Sequence, residues 1–288
     1  MIQPKIVSAF ATLIRATFAH PIGRRQPFRS FARILRWQVR SRLSSRPKIF
    51  YWVGGSCLIV KRGMTGATGN LYFGLHEFAD MAILLHFLRP GDLMLDIGAN
   101  VGSFTVLGAK VAGARVEAFE PASETLPGLR ANVAANGVGS LVTIHECALG
   151  DHDGQIEFSI GLDAVNRVGA PGPTRAVSLR RLDTVAEDMQ PVMIKIDVEG
   201  YEPQLFAGAE ATLAKPSVRL IQTETTDSAI IAQLKRHGFK RRYYDPFSRR
   251  LANASVGLDN NALFVRDETW VSERLRSGRR FDVFGIAV

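Results

Sequence analysis

Three short segments of the 288-residue chain combine glycine and carboxylate side chains where apolar runs stop. In Asp96-Ile97-Gly98-Ala99-Asn100-Val101-Gly102, an acid near the end of an apolar run is followed by two glycines and then by a helical pattern. Gly98 would let the backbone come close to a ligand, and Gly102 stands where helix N–H groups point outward. The spacing is G-x-N-x-G, without the G-x-G-x-x-G pattern of the dinucleotide fingerprint. A pyrophosphate is best held by a bare helix N-terminus. An acid at this strand end suits instead a ligand carrying a positive group.

The second segment, Phe119-Glu120-Pro121, places Glu120 22 residues after Gly98. At that distance an acid accepts the two hydroxyls of an unmodified ribose. The third, KIDVEGYE from Lys195, gathers Asp197, Glu199 and Glu202. Three carboxylates exceed the needs of a structural turn, although the start of a helix at Glu202 offers capping as a plainer role.

Such segments need a scaffold that brings strand ends together. Apolar strand patterns at Leu93–Ile97, Ala114–Phe119, Val142–Glu146, Val192–Asp197 and Arg219–Glu224 alternate with helical ones at Ser103–Ala112, Glu124–Asn136, Glu202–Ala214 and Ser228–His237. Short strands without polar alternation, separated by helices, predict an α/β fold with a parallel sheet covered on both faces. Its ligands would sit beyond the carboxyl ends of the strands. Phe239–Tyr244 and Ala262–Arg266 read as a closing pair of strands, and Lys48–Lys61 as a β-hairpin around Gly54-Gly55. Leu75–Leu88 has helical spacing, Met64–Asn70 reads as a Gly/Thr-rich loop, and residues 161–174 have a loop's composition.

The motifs DIGANVG, FEP, ECALGD, LDTV and IKIDVEGYE, in that order within about residues 75–266, resemble the FkbM family of S-adenosylmethionine-dependent methyltransferases. The resemblance implies a Rossmann-like class I methyltransferase with a mostly parallel seven-stranded sheet and helices on both faces. It implies that Gly98, Asn100 and Gly102 line S-adenosyl-L-methionine, with Asp96 near its amino-acid moiety. Glu120 would hold the ribose hydroxyls, Pro121 would pack by the adenine and Ala148 would meet the adenine edge. Glu77, with His76, stands at the place of a further cofactor or substrate contact. For the transfer itself, Asp197 is expected to be the base or acceptor anchor, with Glu199 in the same cluster. Glu224 and His145 are the alternatives, and His145 also suits filling a face of the sheet. Asp197 and Glu199 are compatible with a divalent metal that no feature compels, so no metal ligands are assigned. The expected acceptor is a hydroxyl of a sugar, glycolipid or secondary metabolite. Two rivals stay open: a nicotinamide-dependent oxidoreductase, opposed by the glycine spacing and the lack of Tyr-x-x-x-Lys, and a non-catalytic membrane- or nucleic-acid-binding protein on a vestigial fold.

Composition and charge bound the rest. At 46% hydrophobic and 22% charged residues, the chain has the balance of a folded domain. Two cysteines make no disulfide framework and point to a reducing compartment. The net charge of +9 is uneven: 13 Lys and Arg, and no acid, precede Glu77. Residues 1–19 read as a helix interrupted by Arg15 rather than a cleaved leader. In the next helix, about residues 28–43, Arg29, Arg33, Arg36 and Arg40 share one face, while Phe28, Phe31, Leu35 and Val39 form the other. That face would either lie on an anionic membrane or dock on the main domain; nucleic acid is the less favoured partner. The expected organisation is a basic helical arm (1–47), a hairpin and loop (48–74), a methyltransferase domain (75–270) and a C-terminal tail (271–288). Its place would be the cytoplasm, including the inner face of the membrane.

Overall fold

The computed structural model describes residues 13–159, 173–225, 227–255, 257 and 261–288. Most of the 161–174 segment and residues 1–12 of the arm lie outside them. The chain opens with helices α1 (13–19), α2 (Pro21–Arg25) and α3 (Pro27–Leu43). The hairpin β1 (Lys48–Tyr51) and β2 (Cys57–Val60) follows, then α4 (Thr65–Phe73) and α5 (Phe78–Phe87). Next come β3 (Leu93–Ile97), α6 (Ser103–Val106, continued by a π-turn to Val111), β4 (Arg115–Phe119), α7 (Leu126–Ala135) and β5 (Val142–His145). After β6 (Ala148–Gly150), β7 (Gly154–Ser159), β8 (Thr174–Arg181) and α8 (Leu182–Val185) stand β9 (Met193–Ile196), α9 (Glu202–Ala207) and α10 (Glu210–Ala214). The remainder is β10 (Leu220–Thr223), α11 (Ser228–Arg236), β11 (Lys240–Asp245), β12 (Arg250–Ala252), β13 (Ala262–Val265), α12 (Glu268–Arg276) and a small hairpin, β14 (Asp282–Val283) and β15 (Ile286–Ala287).

The main sheet runs β12-β11-β13-β10-β9-β3-β4-β5. Strands β10, β9, β3, β4 and β5 are mutually parallel, and β13 is antiparallel to both its neighbours, β10 and β11. The fold is Rossmann-like α/β, as expected, with eight strands rather than seven; three-residue β12 extends the outer edge. A separate sheet of order β6-β8-β7 was not legible as strands. The central strands β3, β9 and β10 are buried along their whole length. Their side chains divide between two cores. Leu93, Leu95, Ile97, Ile194, Ile196 and Ile221 enter one, and Met94, Met193 and Leu220 the other. Continuous apolar runs are what a sheet covered on both faces requires.

Three expectations are corrected. Residues 65–73 form a helix rather than a loop, because tertiary contacts override weak propensity. Asn70, fully buried, donates to Gly66 O and Ser103 Oγ and accepts from His76 N. The 202–214 helix is two helices, broken at Gly208, where a Cβ would come within 1.9 Å of the Gly150 carbonyl oxygen. Residues 271–288 are no free tail: Val271, Leu275, Val283 and Val288 are buried in the same core as Met94. The described part of the arm also packs there, through Ile22 and Trp37.

Candidate active site

Cross-strand register carries the site. Ile97 lies opposite Phe119 and Ile196, and Ile196 opposite Thr223. The next residues are Gly98, Glu120, Asp197 and Glu224. Four positions far apart in sequence therefore leave the sheet together at its carboxyl edge. Gly98 has φ +77°, and a Cβ there would come within 1.8 Å of the Asp197 carbonyl oxygen. The chain passes too close to the end of β9 for any side chain.

Two adjoining cavities open over this edge. The first is lined by Gly98, Asn100, Glu120, Pro121, Ala148 and Tyr201 among others. The second is lined by His76, Glu77, Ser103, Lys195 and Glu224. Gly98, Asn100, Asp197 and Glu199 belong to both and form the wall between them.

In the first cavity, the buried Glu120 carboxylate accepts hydrogen bonds from Asn100 N and Ala122 N, each 2.8 Å. Burial raises its pKa to about 7, with the two backbone N–H groups pulling the other way. Each carboxylate oxygen keeps a lone pair for a ligand. Asn100 holds φ +51°, with its side-chain oxygen accepting from Val101 N.

Two expected lining residues stand behind the cavities instead. Asp96 is fully buried; its Oδ2 accepts from Thr105 Oγ1 at 2.6 Å, and Oδ1 has no hydrogen-bond partner. Gly102 faces Leu129 of α7, whose Cδ1 would lie 2.6 Å from a Cβ, so its smallness serves helix packing. His145 stacks on Phe119 with ring centroids 4.5 Å apart and bonds Glu117 at 2.7 Å, filling a face of the sheet. The LDTV motif is structural: Asp183 accepts from Ala211 N and Thr212 N and caps α10.

The second cavity rests on a polar layer that the sequence reading missed. Asp96, Lys195 and Gln222 are neighbours across β3, β9 and β10. Lys195, only 4% exposed, donates to Asp197 Oδ2 at 2.9 Å, and its ammonium lies 4.6 Å from the centroid of the Phe104 ring. Burial works against its charge, but Asp197, Asp96 and Glu77 outweigh burial and raise its pKa. Burial raises the Glu77 and Asp96 carboxyls. Glu77 accepts from Asn261 Nδ2 at 3.1 Å, and Gln222 donates to the Asp80 carboxylate at 3.0 Å. Glu224 keeps solvent contact. Partial desolvation, then the carboxylates of Asp197, Glu199, Glu77 and Glu202, raise its pKa to about 7. A signal existed in sequence: LMLDI, MIKI and LIQT all place a long polar side chain or a carboxylate at the penultimate position of a short buried strand. Among the described residues, no group of three or more His, Cys, Asp or Glu is arranged to hold a metal ion.

A model of the methyltransferase FkbM domain matches residues 96–241. The chain is 28% identical to the 31-O-demethyl-FK506 methyltransferase FkbM of Streptomyces tacrolimicus, over 56% of this chain and 78% of the relative. It is 27% identical to the hexuronic acid methyltransferase AglP of Haloferax volcanii, over 49% of this chain and 59% of that one. Among solved structures, the precorrin-6Y C5,15-methyltransferase of Geobacter metallireducens overlaps 72% of this chain and 91% of its own, at 13% identity and a TM-score of 0.42. The family match runs from the end of β3 into β11 and takes in half of the sequence. The chain belongs to the FkbM family of S-adenosylmethionine-dependent methyltransferases.

Proposed function

We propose that this protein transfers a methyl group from S-adenosyl-L-methionine to a hydroxyl of an uncharged, polyhydroxylated small molecule or glycan. The observation that carries the reading is the single layer formed by Gly98, Glu120, Asp197 and Glu224 at four aligned strand ends. The residues fit the cofactor. Gly98 lets the turn close against the end of β9, so that bare backbone lines both cavities. Glu120 retains acceptor capacity for ribose hydroxyls, beside Pro121 and Ala148 for the base. Carboxylates of Asp197 and Glu77 suit the cationic end of the cofactor. Asp96 and Gly102 support this site from behind. Bound there, the cofactor supplies a sulfonium methyl already activated for displacement.

The chain's own contribution is to hold and deprotonate the acceptor. Alignment of the reacting atoms can supply up to about 7–11 kcal/mol. The acceptor's proton needs a base with a pKa near the working pH. Glu224 meets that condition and lines the second cavity. Asp197, first expected as the base, already accepts a hydrogen bond from the buried Lys195. It serves better as the anchor that positions the acceptor and the cofactor's cation, with Glu199 beside it. Four carboxylates, Glu77, Asp197, Glu199 and Glu224, line the second cavity against one lysine. Such a lining repels a carboxylate- or phosphate-bearing acceptor and accepts hydrogen bonds from hydroxyls.

The test is calorimetric titration with S-adenosyl-L-methionine and NAD, followed by methyl transfer from labelled cofactor to panels of neutral and acidic glycosides. Binding of the methyl donor and labelling of neutral acceptors supports the reading. Preference for NAD, or labelling confined to acidic acceptors, overturns it.

A further inference from the structure

Helix α3 turns its apolar face the wrong way for a helix that exists only to pack on its own domain. The residues it buries are Ser30, Ile34, Trp37 and Ser41. Arg33 Nε and Gln38 Nε2 add bonds to the Tyr72 carbonyl and hydroxyl on that side. The opposite face carries Phe28, Ala32, Leu35, Val39 and Leu43, whose spacings of 4, 3, 4 and 4 form one stripe. Phe28 is 87% exposed, Leu35 66%, Val39 49% and Leu43 81%. Phe18 on α1, 50% exposed, adds to the solvent-facing apolar surface of the arm. The stripe is therefore continuous along the helix and uncovered by the described residues.

Its flanks are basic. Arg29, Arg36 and Arg40 follow one side of the stripe and Arg42 the other. No acid precedes Glu77 in the chain, and no ion pair between described residues involves an arginine of α3. Beside α3, a groove lined by Arg36, Arg40, Lys48 and Ile49 continues the surface onto β1, where Ile49 is 59% exposed. Apolar side chains in a row between arginines are the pattern of a helix lying in a membrane interface, its apolar face among acyl chains and its cations at the headgroups. A protein partner with the same fit would have to be both apolar and acidic along the whole stripe. No described helix is long and apolar enough to cross a membrane.

We infer that the exposed face of α3, with Phe18, docks the folded protein on an anionic lipid surface, while its Ile34–Trp37 face holds it to the catalytic domain. The docking does not depend on the proposed methyl transfer, and its test reads no activity. The full-length protein is sedimented with vesicles of phosphatidylcholine alone or mixed with phosphatidylglycerol, at rising salt, with light scattering on the free protein. Expected are binding to the mixed vesicles only and a fall of roughly tenfold or more in partitioning as salt screens the arginines. Arg36→Gln with Arg40→Gln should weaken partitioning by a similar factor, and Leu35→Glu with Leu43→Glu should abolish it at unchanged melting temperature. Absence of binding to the anionic vesicles overturns the inference. So does a marked fall in melting temperature in the Leu35/Leu43 variant, which would mean that the stripe is packed against the chain itself. A dimer that this variant converts to monomer, without vesicle binding in the wild type, makes the stripe a self-association face and also overturns it. Binding to RNA but not to vesicles does the same.

Discussion

At the scale of single residues, two carboxyls with pKa near 7 stand in the two cavities, and their proposed roles separate by experiment. Glu224 as a base acts only when deprotonated, so turnover at saturating cofactor should rise with pH through a limb at or below about 7. A bound sulfonium cation would pull that limb downward. Glu224→Gln should cost about 10²-fold or more in turnover and erase the limb, with cofactor affinity kept. An unchanged pH profile would move the base elsewhere. Glu120 reports through binding instead. Its charged form accepts ribose hydroxyls, so cofactor affinity measured by calorimetry should weaken as pH falls through about 7. Glu120→Ala should cost about 1.5–3 kcal/mol of cofactor binding, the scale of hydrogen bonds to a charged group. Lys195 is the residue on which the acids depend. It is the buried cation among Asp96, Asp197 and Glu77, so Lys195→Met leaves them uncompensated. Denaturant unfolding should show a loss of about 3–5 kcal/mol, the cost of removing one partner from a buried charge pair. Raising the acidity of the medium should recover part of that loss, because the stranded carboxyls can then bind protons. A loss below 1 kcal/mol would mean that water reaches the layer.

At the scale of elements, the N-terminal hairpin is held by side chains of α7 in place of a further strand. Asn136 accepts from Cys57 N and donates to Cys57 O, each 2.8 Å, while Asn132 accepts from Ile59 N at 2.7 Å. Asn132 Nδ2 also donates to the carbonyl of Val101, in the glycine turn, at 2.7 Å. The hairpin and the glycine turn are thus fastened to one helix face. Asn132→Leu should destabilise by about 1–3 kcal/mol, the cost of orphaning buried backbone groups, and should loosen the cofactor turn. The corresponding measurement is thermal unfolding with and without S-adenosyl-L-methionine; a variant as stable as the parent would show that the hairpin is held by apolar contacts alone.

For the whole molecule, the described part of the N-terminal arm and the C-terminal segment are packed into the core that lies under α5. Ile22 and Trp37 from one end and Val271, Leu275 and Val283 from the other belong to one apolar cluster. His20 bonds the Leu75 carbonyl at 2.7 Å, just before α5, and Gln26 donates to that of Phe284 at 3.0 Å, which ties the two ends together. The described residues of both ends therefore share their core with the residues between them, and the proposal that follows is a single folding unit. Deleting residues 1–47 should lower the melting temperature sharply. Trp37→Ala alone should cost about 3–5 kcal/mol, the usual price of emptying a buried tryptophan site. A truncated protein that melts like the full chain would restore the separate arm.

What the sequence determined by itself was the identity of the apolar strands of the main sheet and the chemistry at their ends. Apolar runs buried on both faces need no knowledge of their neighbours to be recognised, and Gly98, Glu120 and Asp197 follow such runs directly. Tertiary structure decided everything that depends on which runs lie side by side. Only the β3-β9-β10 adjacency shows that the polar residues of LMLDI, MIKI and LIQT form one buried layer and that Lys195 pairs with Asp197, which moves the proposed base to Glu224. The same holds for α3. Its periodicity marks an apolar face and a basic one, but an amphipathic pattern does not say which face meets the domain. The packing of Ile34 and Trp37, flanked by two serines small enough for close approach, turned Phe28, Leu35 and Leu43 to the outside.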